Sequence, residues 1–181
     1  MKYILAIILL FFSTSILTAN ERDAQLDRLF TELKKNISFS SPGIAQQIWI
    51  LWSTHPSDEK LTSILDEGSK LVQDQKLVRA IDIFTHVIEI DPTWAEAWNK
   101  RATVYYMIGE FQKSQDDIDK VLELENRHFG ALSGQGLVNI QLKNYEKAIL
   151  SYKKAQEIYP SMQSAEIMIK QIEDLIKQDL I

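Results

Sequence analysis

Residues 95–128 read AEAWNKRATVYYMIGEFQKSQDDIDKVLELENRH. Trp98, Arg101, Ala102 and Tyr105 recur at i, i+3, i+4 and i+7, the spacing of one helix face. Phe111, Ser114, Ile118 and Val121 follow a second helical spacing, with Leu122 beside them. Gly109 stands between the two runs, where a helix ending calls for a residue at ease with φ > 0. The stretch therefore predicts two helices of about 14 residues, each ~21 Å long at 1.5 Å per residue, folded back on one another.

The same pattern lies on either side. Pro92 and Pro160 are 68 residues apart, twice 34, and Asn126 lies midway after the same kind of helix end. In steps of 34 from Leu61, Ala95 and Phe129, small residues meet small ones: Gly68, Ala102 and Gly136, then Ala80, Ser114 and Ala148. Large residues meet large ones: Ile64, Trp98 and Leu132, then Leu77, Phe111 and Tyr145, then Phe84, Ile118 and Tyr152. Val87, Val121 and Ala155 complete the register. A glycine inside a helix costs about 1 kcal/mol relative to alanine. Gly68 and Gly136 are therefore read as places where another helix comes too close for a side chain.

A 34-residue helix–turn–helix unit with these residues resembles the tetratricopeptide repeat (TPR). The signature places are held by Trp98, Ala102, Tyr105, Gly109 and Phe111 in the middle unit, with Ile118 and Val121 behind them. Gly136, Tyr145, Ala148 and Pro160 hold them in the third unit, and Gly68, Ala80, Phe84 and Pro92 in the first. Ser114 and Asn126 depart from the usual alanine and proline. The stretches 95–102 and 127–132 also resemble small exported bacterial TPR proteins. The resemblance implies an all-α solenoid of about three repeats (61–94, 95–128, 129–162) with N- and C-terminal capping helices. It makes Trp98 and Tyr105 core residues.

In such arrays the first helix of each unit lines a concave surface, and the resemblance implies a protein or peptide partner there. The expected contacts are Asn99, Thr103, Tyr106 and Met107 from the second unit and Ser133, Leu137 and Ile140 from the third. Asn99 and Ser133 would hold peptide backbone, with Tyr106, Leu137 and Ile140 as apolar seats. The lysine, asparagine and arginine clamp by which some TPR proteins grip a terminal carboxylate is absent: its places hold Leu65, Ser69, Lys100, Gly130 and Gly134. Met107, Leu137 and Ile140 also allow self-association as an envelope subunit.

Two flanks remain. Residues 163–181 predict a capping helix, with Ala165, Ile169, Ile172 and Ile176 on one face to cover the last apolar surface. Residues 20–60 predict an N-terminal cap of two helices packed on unit one. Its stripes are Leu26, Leu29, Phe30 and Leu33, then Ile44, Ile48, Trp49 and Trp52. Residues 1–19 carry Lys2, the apolar run Tyr3 to Phe12 and a small-residue end at Ala19, the order of a secretory signal peptide. Cleavage after Ala19 and a periplasmic location are expected; the alternative is an uncleaved inner-membrane anchor. The apolar run is shorter than the ~20 residues of a spanning helix.

Composition narrows the chemistry. The chain has 181 residues, a net charge of −5 and no cysteine. Disulfides and thiolate sites are excluded, and an acidic chain with no Lys/Arg block argues against nucleic acid. Asn36-Ile37-Ser38 matches a glycosylation sequon and is read as chance. No histidine stands in H-E-x-x-H spacing. Asp82, His86 and Glu89 share a helix face but read as a solvated exterior. The run Asp116 to Glu125 is interrupted by Ile118, Val121 and Leu122 at helical spacing, unlike a calcium loop. Gly134-Gln135-Gly136 lacks the lysine of a phosphate loop. No enzyme, metal, cofactor or small-molecule substrate is expected.

Overall fold

The computed structural model describes residues 21–35 and 39–179; the expected signal segment 1–19 and the sequon at 36–38 lie outside them. Helix α1 covers residues 21–34. There follow α2 (Ser41–Ser53), α3 (Glu59–Gln73), α4 (Leu77–Ile90) and α5 (Ala95–Met107). Then come α6 (Phe111–Leu124), α7 (Phe129–Gln141), α8 (Tyr145–Ile158) and α9 (Gln163–Asp179). The described residues contain no strand. Helices α3 to α9 each pack on the next, which makes an all-α solenoid.

The turns inside the pairs repeat the 34-residue step. Gln75, Gly109 and Lys143 all take positive φ, at 59°, 80° and 57°. In each turn this residue's N–H reaches back to the carbonyl of Val72, Tyr106 or Ile140. The next N–H reaches the carbonyl of Leu71, Tyr105 or Asn139. These are Schellman ends, which satisfy the last carbonyls of a helix. Only the middle turn uses the residue type that enters this region without a steric cost.

The small positions of the register are close approaches. A Cβ on Gly68 would lie 2.4 Å from the Phe84 ring, and one on Gly136 would lie 2.5 Å from Tyr152. In the middle unit, Ala102 and Ser114 meet instead, and the Ser114 hydroxyl donates to the Ala102 carbonyl at 2.8 Å. Phe84, Val87, Ala80, Val121 and Ala148 are fully buried.

Two expectations are corrected. Trp98 and Tyr105 are half-buried rather than core. The reason is Arg101, whose guanidinium lies 5.0 Å from the Trp98 ring and 5.7 Å from Tyr105. Arg101 forks onto Asp117 with two bonds of 2.8 Å and donates to Thr85 at 3.0 Å. The hydrogen bonds to Asp117 hold the guanidinium above its ordinary pKa, while burial pushes the Asp117 carboxyl up. The aromatic pair is thus the bed of a partly buried ion pair. The fully buried core of the region is Ala97 and Val104, with Trp94 nearby.

The second correction concerns the N-terminal cap. Helices α1 and α2 touch unit one, where the Trp94 indole donates to the Trp52 carbonyl, but they share their core with unit three. Leu26, Phe30, Leu33, Ile48 and Trp52 share a core with Phe129, Leu132 and Ala155, residues of α7 and α8. Tyr159 and Met162, in the connection to α9, pack against the same core. The hairpin clasps the edge of the solenoid where the connections between units lie. Those connections leave apolar residues uncovered, and burying them is worth about 25 cal/mol per Å².

Candidate functional site

Helices α5 and α7 face one another across a small cleft. Thr103, Tyr106, Leu137, Gly130 and Gly134 line a cavity of about 70 Å³ between them. A second cavity, of about 310 Å³, extends toward α3 and is lined by Ser69, Val72, Gln73 and Lys100. Asn99 and Thr103 line both cavities. Of the expected contacts, the fold therefore brings Asn99, Thr103, Tyr106 and Leu137 together. Ser133 is half-buried, and its hydroxyl donates to the Phe129 carbonyl at 2.9 Å. Ile140 packs against the core of α8 and α9, formed by Ala148, Tyr152 and Ala165. Met107 is exposed and lines neither cavity.

Asn99 differs from the expectation in one respect. It is only 9% exposed, and its amide donates to Glu96 Oε2 at 3.1 Å. The amide is spent inside the protein. Glu96 is itself 1% exposed and lies 3.3 Å, through Oε1, from the Lys100 ammonium. His128 completes the set. Its Nδ1 accepts the Ala131 N–H at 3.0 Å and caps α7, so the ring proton sits on Nε2. That N–H donates to Glu96 Oε2 at 3.1 Å. A buried carboxylate holding several donors is the arrangement that offsets its desolvation. Thr103 is the open polar group of the cleft: its side chain is exposed, and its hydroxyl donates to the Asn99 carbonyl at 2.9 Å.

The hairpin reaches into this region through two tryptophans. Trp49 lines the larger cavity. A Cβ on residue 130 would lie 2.5 Å from its ring, so Gly130 is the notch that admits it. Trp52 lies flat on His128, centroids 3.9 Å apart. The Trp94 indole donates to the Trp52 carbonyl at 2.8 Å. Arg127 binds both sides of the seam, reaching Glu125 at 2.9 Å and Asp27 of α1 at 2.6 Å. Those hydrogen bonds, Glu125 first, hold Arg127 above its ordinary pKa.

Beyond the expected contacts, Glu96 and Gly130 already fall on concave-face positions of the register and Gly134 on a clamp position; Trp49 is the residue that sequence reasoning missed. Gly130 and Gly134 stand four apart on one face of α7, which in the sequence marks a groove free of side chains. Nothing comparable announces Trp49, since its place depends on where the hairpin docks. Among the described residues, no group of three or more His, Cys, Asp or Glu could hold a metal ion. None of the described helices is long and apolar enough to cross a membrane.

The fold and register have counterparts. The family described as tetratricopeptide repeat matches residues 130–162. A TPR repeat-containing protein of Rhizobium etli is 30% identical over 149 residues, covering 82% of this chain and 72% of that one. Hsp70-Hsp90 organizing protein 1 of Glycine max is 28% identical over 98 residues, 54% of this chain and 17% of that one. The solved first TPR of Spaghetti, bound to an HSP90 peptide, superposes with a TM-score of 0.63 at 23% identity, covering 66% of this chain and 94% of that one. With a relative 30% identical over 82% of this chain beside a fold of paired helices stepping by 34 residues, the chain belongs to the tetratricopeptide-repeat family.

Proposed function

We propose that this protein is an interaction module that holds an extended peptide of a protein partner in the cleft between α5 and α7. The observation that carries the reading is that two cavities on this face share Asn99 and Thr103 in their linings. Thr103 offers an exposed hydroxyl, and Tyr106 and Leu137 offer apolar surface. Gly134 carries no side chain on that face of α7, whereas the space at Gly130 is taken by the Trp49 ring. Asn99 shapes the cleft from below, through Glu96. A similar fold carries an HSP90 peptide in the solved Spaghetti domain, which supports a peptide as the kind of ligand. The partner here differs in chemistry, because the clamp positions hold Leu65, Ser69, Gly130 and Gly134, with Lys100 alone basic.

The signal-like residues 1–19 favour a periplasmic setting and a partner in envelope assembly or maintenance. The test is capture from an envelope fraction with the full chain beside Thr103→Arg, which fills the cleft from an exposed position. A partner retained by the wild type and lost by the folded variant supports the cleft. A partner retained by both moves the binding site elsewhere. Mass that rises with concentration and no captured partner would make self-association the function.

A further inference from the structure

Trp49 belongs to the N-terminal hairpin, yet it stands in the groove of the repeats. It lines the larger cavity beside Ser69, Val72 and Gln73 of α3 and Lys100 and Thr103 of α5. Its ring fills the space over Gly130: a Cβ there would lie 2.5 Å from Trp49 Cη2 and 2.6 Å from Cζ2. Gly130 is a groove-facing position of α7 by register, so the protein's own chain closes the groove at that point. A segment lying along α3 and α5 meets the indole instead of passing on to the start of α7.

The lining of this cavity divides into one apolar seat and a set of acceptors. Phe84 and Val104 line it but are fully buried. Its exposed apolar area therefore comes from Trp49 and Val72, both half-buried. Its hydroxyls are spent as donors. Ser69 donates to the Leu65 carbonyl at 3.1 Å. Thr103, one step of the repeat further on, donates to the Asn99 carbonyl at 2.9 Å. A hydroxyl has one proton, so both turn only lone pairs to the groove. The Asn99 amide and the Lys100 ammonium are drawn inward to Glu96. What remains is an apolar seat beside two acceptors on adjacent units. An extended peptide fits that pattern, with backbone N–H groups for the acceptors and a side chain for the seat.

We propose that Trp49 is a ligand-contacting residue that sets specificity. Its ring is the end wall of a seat for one large apolar side chain of the bound peptide: leucine, methionine or phenylalanine. At about 310 Å³ the cavity has room for such a group. The inference rests on the cleft as the peptide site and narrows the ligand to a peptide of that chemistry. The hairpin is thereby part of the binding site, and the notch at Gly130 fixes the wall in place.

The test selects random peptides displayed on phage against the folded full chain, then titrates the synthetic consensus peptide by calorimetry. The selected peptides are expected to share one large apolar residue at a fixed position. Trp49→Ala should weaken the consensus peptide roughly tenfold, the effect of truncating an anchor contact. Replacing the peptide's apolar residue by alanine should cost the wild type as much and cost Trp49→Ala little, because both changes remove one contact. Trp49 also packs against the hairpin core, so Val72→Glu is the second variant; Val72 lies on α3 against the core of unit one. It should weaken binding at least as much, with circular dichroism confirming that each variant is folded. Thr103→Arg separates the seat from the cleft. Binding lost with Thr103→Arg but unchanged by a folded Trp49→Ala or by Val72→Glu would overturn the seat and leave the cleft standing. Binding indifferent to all three changes, or no peptide selected, would overturn both. Tighter binding by Trp49→Ala would show the hairpin competing with the ligand and overturn the wall.

Discussion

The Trp52 indole lies on the His128 imidazole with ring centroids 3.9 Å apart and planes 8° from parallel. The stack joins the hairpin to the cap of α7, since His128 is the N-cap residue and is fully buried. Trp52→Ala should therefore destabilise by about 3–5 kcal/mol, as for a large buried aromatic. Chemical denaturation followed by circular dichroism checks it. A loss below about 1 kcal/mol would mean that the hairpin contributes little to the folded state.

Gly130 and Trp49 give a way to lift the hairpin without cutting the solenoid core. Gly130→Leu would place side-chain atoms where the Trp49 ring now sits. The expected result is cleavage by trypsin or a similar protease near residues 54–58, with the helical content of the repeats retained. Tryptophan emission should shift to the red as Trp49 meets water. Unchanged protection would show that Trp49 can move aside while the hairpin stays docked.

Residues in the left-handed region without being glycine carry strain of about 1–2 kcal/mol. Lys143, at φ 57°, is one of them. Lys143→Gly should stabilise by roughly 1 kcal/mol after the unfolded-state entropy of glycine is set against it. Gly109→Ala, at φ 80°, should destabilise by a similar amount. The two midpoints should move in opposite directions in one thermal series.

Asp91 predicts a pH dependence. Burial pushes its carboxyl up, but hydrogen bonds from Thr93 and His55 outweigh that and hold it below the usual 3.8. A carboxyl depressed by folding contributes stability that is complete above its unfolded value. That stability is lost as pH falls through the folded one. Asp117, pushed up by burial, contributes with the opposite sign. The difference between wild type and Asp91→Asn isolates the first group. The variant should lose less stability than the wild type between about pH 5 and about pH 2.

Gly136→Leu tests the register itself. With Tyr152 2.5 Å from a Cβ at that place, overpacking should cost roughly 1–3 kcal/mol. A variant of unchanged midpoint would mean that α7 and α8 can separate freely.

The repeat was legible because it is written in local periodicity. Gly68, Ala102 and Gly136 fall on one register, and small residues there have one physical use, the close crossing of helices. The left-handed turn was legible only at Gly109; Gln75 and Lys143 adopt the same backbone with no glycine to announce it. The repeat register and its signature places put Trp98 and Tyr105 in the core. The local pattern could not show that Arg101 would fold over them to reach Asp117.

The sequence by itself determined the all-α class, the 34-residue unit and the helix faces, because each depends on residues a few positions apart. Only the tertiary structure decided where the hairpin goes and what that does to the site. Asp27 meets Arg127 across 100 positions of chain, and Glu96 meets His128 across 32. No periodicity links such pairs. They form because exposed apolar connections between units, a buried carboxylate needing donors and a notch at Gly130 are satisfied together by one docking of α1 and α2.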